Sequence, residues 1–154
     1  YVYVWYHPKI GLWMGATPET LLNVKGYDFK TMALAGTQVC KGIEHPTWGE
    51  KEIKEQQMVV DFINESLSTT VKSLNFSETV TVKAGRLLHL KTDVFGVLKE
   101  VGHLSHLVKK LHPTPAVCGL PKNISKKFIL DNEGYSRSFY TGYLGVVNIK
   151  EETS

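Results

Sequence analysis

Cysteine is scarce: Cys40 and Cys118 are the only two, far apart and with no metal-type spacing. Neither has a histidine at helical or turn spacing that would mark an activated nucleophile, and a chain of 154 residues needs no disulfide to hold its core. These two facts exclude a disulfide scaffold, a zinc–thiolate domain and thiol catalysis, and make a reducing, cytoplasmic setting the expected one. Charge of one sign is also lacking. Eighteen Lys and Arg face fifteen Asp and Glu for a net charge of +3, and the lysines are dispersed among acids, so the sequence offers no nucleic-acid stripe and no membrane anchor. There is no internal repeat, low-complexity tract or linker. N-F-S at Asn75 and N-I-S at Asn123 match glycosylation sequons, but such tripeptides are frequent by chance and carry no weight without secretion. The opening lacks a methionine, a polar lead-in and a signal-type charged region; it begins within what reads as a strand. We therefore expect a piece of a longer protein, whose first strand pairs with another chain or with a strand supplied by the rest of the protein.

What is present is the composition of a soluble globular protein, 42% hydrophobic and 21% charged, over the length of about one domain. Residues 1–7, 10–16, 19–24 and 29–35 alternate or run apolar between the turn sequences HPKIG, TPE and KGYD, which reads as an antiparallel meander. From about Trp48 to Thr70 the period becomes helical, with Ile53, Met58, Val59, Phe62, Ile63 and Leu67 on one stripe. Strands are expected at 77–84 and 86–92, helices near 96–110 and 121–131, and a last strand over 139–149. This order gives α+β: a largely antiparallel sheet with helices packed on one face.

Each candidate for chemistry has a plain structural alternative. Glu52 and Glu55, three apart on the long helix, share a face and suit a hard cation, yet GEKEIKEQ also has the alternation of ordinary surface ion pairs. Glu19, between small residues and an apolar pair in GATPETLL, suits a general acid of raised pKa or a turn cap. LAGT, residues 34–37, lets a ligand approach the backbone or simply ends a strand. His103 and His106 lack a third ligand at a zinc spacing. His89 lies in the apolar strand RLLHLKTD, where an imidazole must find a partner or serve a function. HPTPAVCGLPK, residues 112–122, is too stiff for a strand and too broken for a helix; it reads as a rigid connector or as the wall of a small-molecule site.

Taken together, GATPETLL, LAGT, KEIKEQQMVVDFI, LLHLKT, HPTPAVCGLPK and SRSFYTGYLG resemble, in order and spacing, the motifs of the chorismate-utilising enzymes, and they cover nearly the whole chain. The resemblance implies that Glu19 protonates the departing C4 hydroxyl of chorismate with His89 beside it. It also implies that Glu55, supported by Glu52, helps to hold Mg2+ at the ring carboxylate. Leu34, Ala35, Gly36 and Thr37, with His112, Ala116, Gly119, Tyr140 and Gly142, would shape the pocket and reach the substrate's carboxylates. Ammonia-using members resemble F-P-A-G-T-V-S-G-A-P-K in the stiff loop and carry an N-D-L-x-R signature. This chain has Ala116 in place of the threonine and FINESLS in place of that signature, which implies water as nucleophile and isochorismate as product, with salicylate synthase or a non-catalytic domain of the same fold as the alternatives.

The pattern has departures. Gln56 stands where the family usually has histidine, and Ser138 where glutamate or glycine is frequent. The family's lysine base is expected before Tyr1, and its arginine, glycine-rich loop and second metal-binding glutamate after Ser154. On that reading the chain is a partial chorismate-binding catalytic domain, nearly inert alone, with chorismate as its small-molecule partner and its oligomeric state open.

Overall fold

The computed structural model describes residues 1–17, 19–40, 42, 46–102 and 104–147. The chain divides into two units, Tyr1–Leu111 and His112–Ser154. The first opens with β1 (Val2–His7) and β2 (Gly11–Ala16), an antiparallel two-stranded sheet in which Val2 faces Ala16 and His7 faces Gly11. A five-stranded antiparallel sheet follows, built from β3 (Asn23–Lys25), β4 (Asp28–Val39), β5 (Val71–Phe76), β6 (Val80–Ala84) and β7 (Leu87–Leu98). β7 is its spine: β4 lies along one side from Asp28↔Val97 to Val39↔Leu87, while β5 and β6 share the other side end to end.

The sheet buries one face because its two long strands alternate. In β7, Leu88, Leu90, Thr92, Val94, Gly96 and Leu98 are buried, while the residues between them are exposed or half-buried. In β4, Phe29, Thr31 and Ala33 are buried in the same rhythm. Across this face lie α1 (Glu50–Leu67) and α2 (Leu104–Leu111); Val59, Phe62, Ile63 and Leu67 of α1 and Leu107 and Leu111 of α2 close the core with Phe29, Ala33, Val71, Val94 and Leu98. Ile53 and Met58, assigned to the same stripe from sequence, are exposed at 53% and 46%. The second unit contains α3 (Pro115–Cys118) and α4 (Lys122–Asn132), followed by turns. Among the described residues no helix is long and apolar enough to cross a membrane.

The α+β expectation holds, and several boundaries move. The strand expected at 19–24 shrinks to β3, leaving Glu19 in the preceding loop. β5 was unassigned from sequence, and the strand expected at 77–84 begins only at Val80. The helix expected from residue 96 does not start there: Val97 and Leu98 complete β7, and α2 begins at Leu104. Their helical spacing with Val101 is fortuitous, because both sit on the two-fold alternation of a strand paired on both sides, and Gly102 then turns the chain at φ +100°. The stiff loop is not wholly irregular, since Pro115–Cys118 forms one helical turn, with Gly119 N–H donating to the Pro115 carbonyl at 2.8 Å. The strand expected over 139–149 is absent from residues 139–147, and 148 and 149 lie outside the described residues. Among the described residues of its unit the apolar run has no partner strand, and Ser138 and Thr141 take φ of 48° and 61°, which breaks extended pairing.

Candidate functional site

The centre of the candidate site is an irregularity in β4. Ala35 faces Leu90, as regular pairing requires, but His89 is faced by Thr37 and not by Gly36. Gly36 is the extra residue of a β-bulge, at φ +66°, a backbone conformation that a glycine adopts without a Cβ penalty. Without the bulge, Thr37 would fall opposite Leu88 on the helix-covered face. With it, Thr37 crosses to the side of His89, and Thr37 Oγ1 lies 3.1 Å from His89 Nδ1. The imidazole in an apolar strand thus has a hydroxyl partner on the half-exposed face.

Two glycines make room for α1 at this point. A Cβ on Gly36 would come within 3.1 Å of both the Cβ and the carbonyl oxygen of Glu52, and a Cβ on Gly49 would lie 2.7 Å from Glu52 Oε2. Glu52 therefore packs its stem on the bulge and turns its carboxylate back over the first turn of the helix, where the exposed N–H groups favour negative charge. Replacing Gly36 by alanine is expected to lower stability by about 1–3 kcal/mol, through a strained positive φ and contact with backbone that cannot swing aside. Urea unfolding checks this, with the midpoint falling at unchanged slope; an unshifted midpoint contradicts it.

Glu55, one turn on, has a side chain 46% exposed and lies 3.6 Å from Lys51 Nζ, an i,i+4 pair of small energetic weight. The two carboxylates are oxygen donors on adjacent turns and fit part of the coordination shell of a hard divalent cation; no group of three ligating side chains occurs among the described residues. His106 is exposed, and its neighbour His103 lies outside the described residues.

Sequence reading noted Gln56 only as a departure, yet it is the most connected side chain in this region. It is 3% exposed. Its Oε1 accepts from Ala35 N–H at 2.9 Å, and its Nε2 donates to the Ala33 carbonyl at 3.2 Å and to Thr92 Oγ1 at 2.9 Å. Thr92 Oγ1 lies in turn 2.8 Å from Thr79 Oγ1. A polar residue on the apolar side of a helical wheel was the available signal.

Glu19 lies between β2 and β3, half-buried, its N–H donating to Thr17 Oγ1 at 3.3 Å. Burial pushes its carboxyl above the ordinary carboxylate range. Leu34 and Ala35 are half-buried in β4, paired with Lys91 and Leu90.

The remaining candidates belong to the second unit. His112 accepts at its carbonyl from Lys122 Nζ at 2.6 Å, and its ring meets Tyr143 edge-on at 5.1 Å. Burial first, then the charges of Lys122 and Lys126, hold its imidazole below the usual range. Ala116 is exposed on α3, and Gly119 ends that turn at φ +85°, where a Cβ would meet Ser125 Oγ at 3.2 Å. Tyr140 and Gly142 are exposed in consecutive turns, with Tyr140 N–H donating to the Arg137 carbonyl at 2.7 Å and Gly142 N–H to that of Phe139 at 3.2 Å. Arg137 sits 5.8 Å from the centre of the Tyr140 ring and is paired with Glu133, its Nε donating at 2.6 Å.

Comparison with known proteins agrees with the motif order. A family model described as chorismate binding enzyme matches residues 1–154. The salicylate biosynthesis isochorismate synthase of Pseudomonas aeruginosa is 33% identical over 141 residues, which is 86% of this chain and 30% of that protein. The isochorismate synthase MenF of Haemophilus influenzae is 30% identical over 156 residues, 96% of this chain and 36% of that protein. The solved structure of MenF, the menaquinone-specific isochorismate synthase from Escherichia coli, superposes with a TM-score of 0.72 at 24% identity over 82% of this chain and 31% of that one, a likeness of fold. The chain spans about a third of the length of the relatives it matches.

Proposed function

Because the chain belongs to the chorismate binding enzyme family, we propose that it is part of an isochorismate synthase, an isomerase that adds water at C2 of chorismate and expels the C4 hydroxyl. The observation that carries this reading is the bulge at Gly36, which sets the Thr37–His89 pair beside a strand backbone against which Glu52 is packed.

The chemistry asks for three things of these residues. The C4 hydroxyl must leave as water, so a proton has to reach it; Glu19, whose carboxyl burial pushes above the ordinary carboxylate range, is the donor in this reading. His89 lies near the leaving group, oriented by its hydrogen bond to Thr37. The Gly36–Thr37 backbone, with small side chains around it, receives the substrate's carboxylates, the Ala35 N–H being held by Gln56. The double bond shifts as the hydroxyl is delivered to C2, and the proton given up by the incoming water balances the one taken by the leaving oxygen. Glu55 with Glu52 would hold Mg2+, which supplies positive charge to offset the substrate's carboxylate.

The test is chromatographic product analysis of chorismate incubated with Mg2+, run on the full-length protein and on this 154-residue chain. Isochorismate from the full-length protein and no product from the chain is the expected result. Salicylate or an aminated product would replace the reading with another member of the family, and no consumption of chorismate by the full-length protein would refute it.

A further inference from the structure

Beyond Lys30, β3 no longer covers the outer edge of β4, and the backbone of residues 33–35 is met there by a side chain. The carboxamide of Gln56 presents a donor and an acceptor on one carbon, and these reach the Ala33 carbonyl and the Ala35 N–H two residues apart, as a neighbouring parallel strand would. The remaining amide hydrogen goes to Thr92 Oγ1 of β7. One side chain therefore ties α1 to both long strands immediately before the bulge, and it follows Glu55 and lies one turn from Glu52 in the helix.

We propose that Gln56 is a positioning residue: its carboxamide locks α1 to β4 and β7 so that Glu52, Glu55 and the Ala35–Thr37 backbone keep one geometry. The inference rests on the proposed reaction for its consequence in turnover, though the clamp itself is a matter of hydrogen bonding. A network buried this deeply holds a single arrangement when every member is satisfied, and a displacement of about 1 Å at positioned groups costs on the order of 10²-fold in rate. No other side chain bonds to the Ala35 N–H among the described residues. Once Gln56 is removed, that amide is released at the point where the strand bulges.

The full-length protein carrying Gln56→Met, Thr92→Val or Thr92→Ser tests this by two independent readouts. Methionine keeps the length and loses every hydrogen bond; valine removes one partner of the carboxamide, and serine restores it. Amide exchange at Ala35, followed by NMR, is expected to accelerate at least tenfold in Gln56→Met. In that variant kcat/KM for chorismate is expected to fall about 10–100-fold, measured well below the melting temperature. Thr92→Val is expected to show a several-fold loss in kcat/KM that Thr92→Ser recovers to within twofold. Unchanged Ala35 exchange overturns the clamp; faster exchange with kcat/KM within twofold of wild type overturns the positioning role. If Gln56→Met does not fold, the valine and serine pair decides. If wild type does not consume chorismate, the functional reading fails while the exchange measurement still judges the clamp.

Discussion

Glu19→Gln in the full-length protein lowers kcat by about 10²–10⁴-fold and leaves the melting curve near neutral pH no worse than wild type; that is the expected result of removing a general acid. Glutamine has the volume of the glutamic acid and no proton to give. In the proposed reading Glu19 suits the role because it lies in a loop between β2 and β3, where burial raises the carboxyl above its ordinary value. Two pH signatures follow from that direction. An acid must be protonated to act, so wild-type kcat/KM declines as pH rises through the raised pKa. Stability has the same sign: because the folded pKa exceeds the unfolded one, the favourable contribution is complete below the unfolded value and is lost as pH rises through the folded one. Glu19→Gln removes this contribution to the slope. Turnover within threefold of wild type, with an unaltered alkaline limb, would sink the assignment.

The pairing of Thr37 with His89 illustrates what one dimension conceals. Both LAGT and the histidine strand are legible as candidates in the sequence, and an imidazole in an apolar strand needs a partner. Their register was not legible, because it depends on one inserted residue: moving the pairing by one position sends every side chain to the other face. Gly36 is the only trace of the bulge in the sequence, and a glycine near a strand end is equally a turn. The central stripe of α1 was read correctly because four buried positions follow a strong period, whereas β5 escaped because its Lys72 and Asn75 interrupt the apolar run and it has a bulge of its own between Val71 and Ser73. The helix misplaced over 96–98 failed for a related reason. Three apolar residues fit two periods, and only the partners on both sides of β7 decide between them. Gln56 was visible as an oddity, but the bonds that give it importance come from β4 and β7, distant in the chain.

The largest structural effect is expected at a position that no motif marks. Gly96→Ala places a Cβ on the buried face of β7, onto the carbonyl oxygen of Ser73 and 2.9 Å from the ring of Phe29. Neither neighbour can yield cheaply. Ser73 follows the irregularity in β5 and is held by Val97 N–H, which donates to its Oγ at 3.2 Å, while Phe29 is 1% exposed at the centre of the core. A methyl group forced between a paired strand and a packed ring either parts β5 from β7 or expels the ring, and overpacking of this kind costs about 1–3 kcal/mol where side chains absorb it and more where backbone must move. We expect about 3–5 kcal/mol, a large share of the roughly 5–15 kcal/mol that holds a domain together. The comparison that isolates the cause is Gly85→Ala, at φ +61° with no atom within 4 Å of the added Cβ. There only the backbone penalty remains, on the order of 1 kcal/mol. Thermal and urea unfolding of the two variants should therefore differ by several-fold in destabilisation. Equal effects would mean that the close approach of β5 and Phe29 does not constrain β7. If Gly96→Ala is destabilised as expected, the setting of His89 and Thr92 weakens along with the core, since the same strand carries all three.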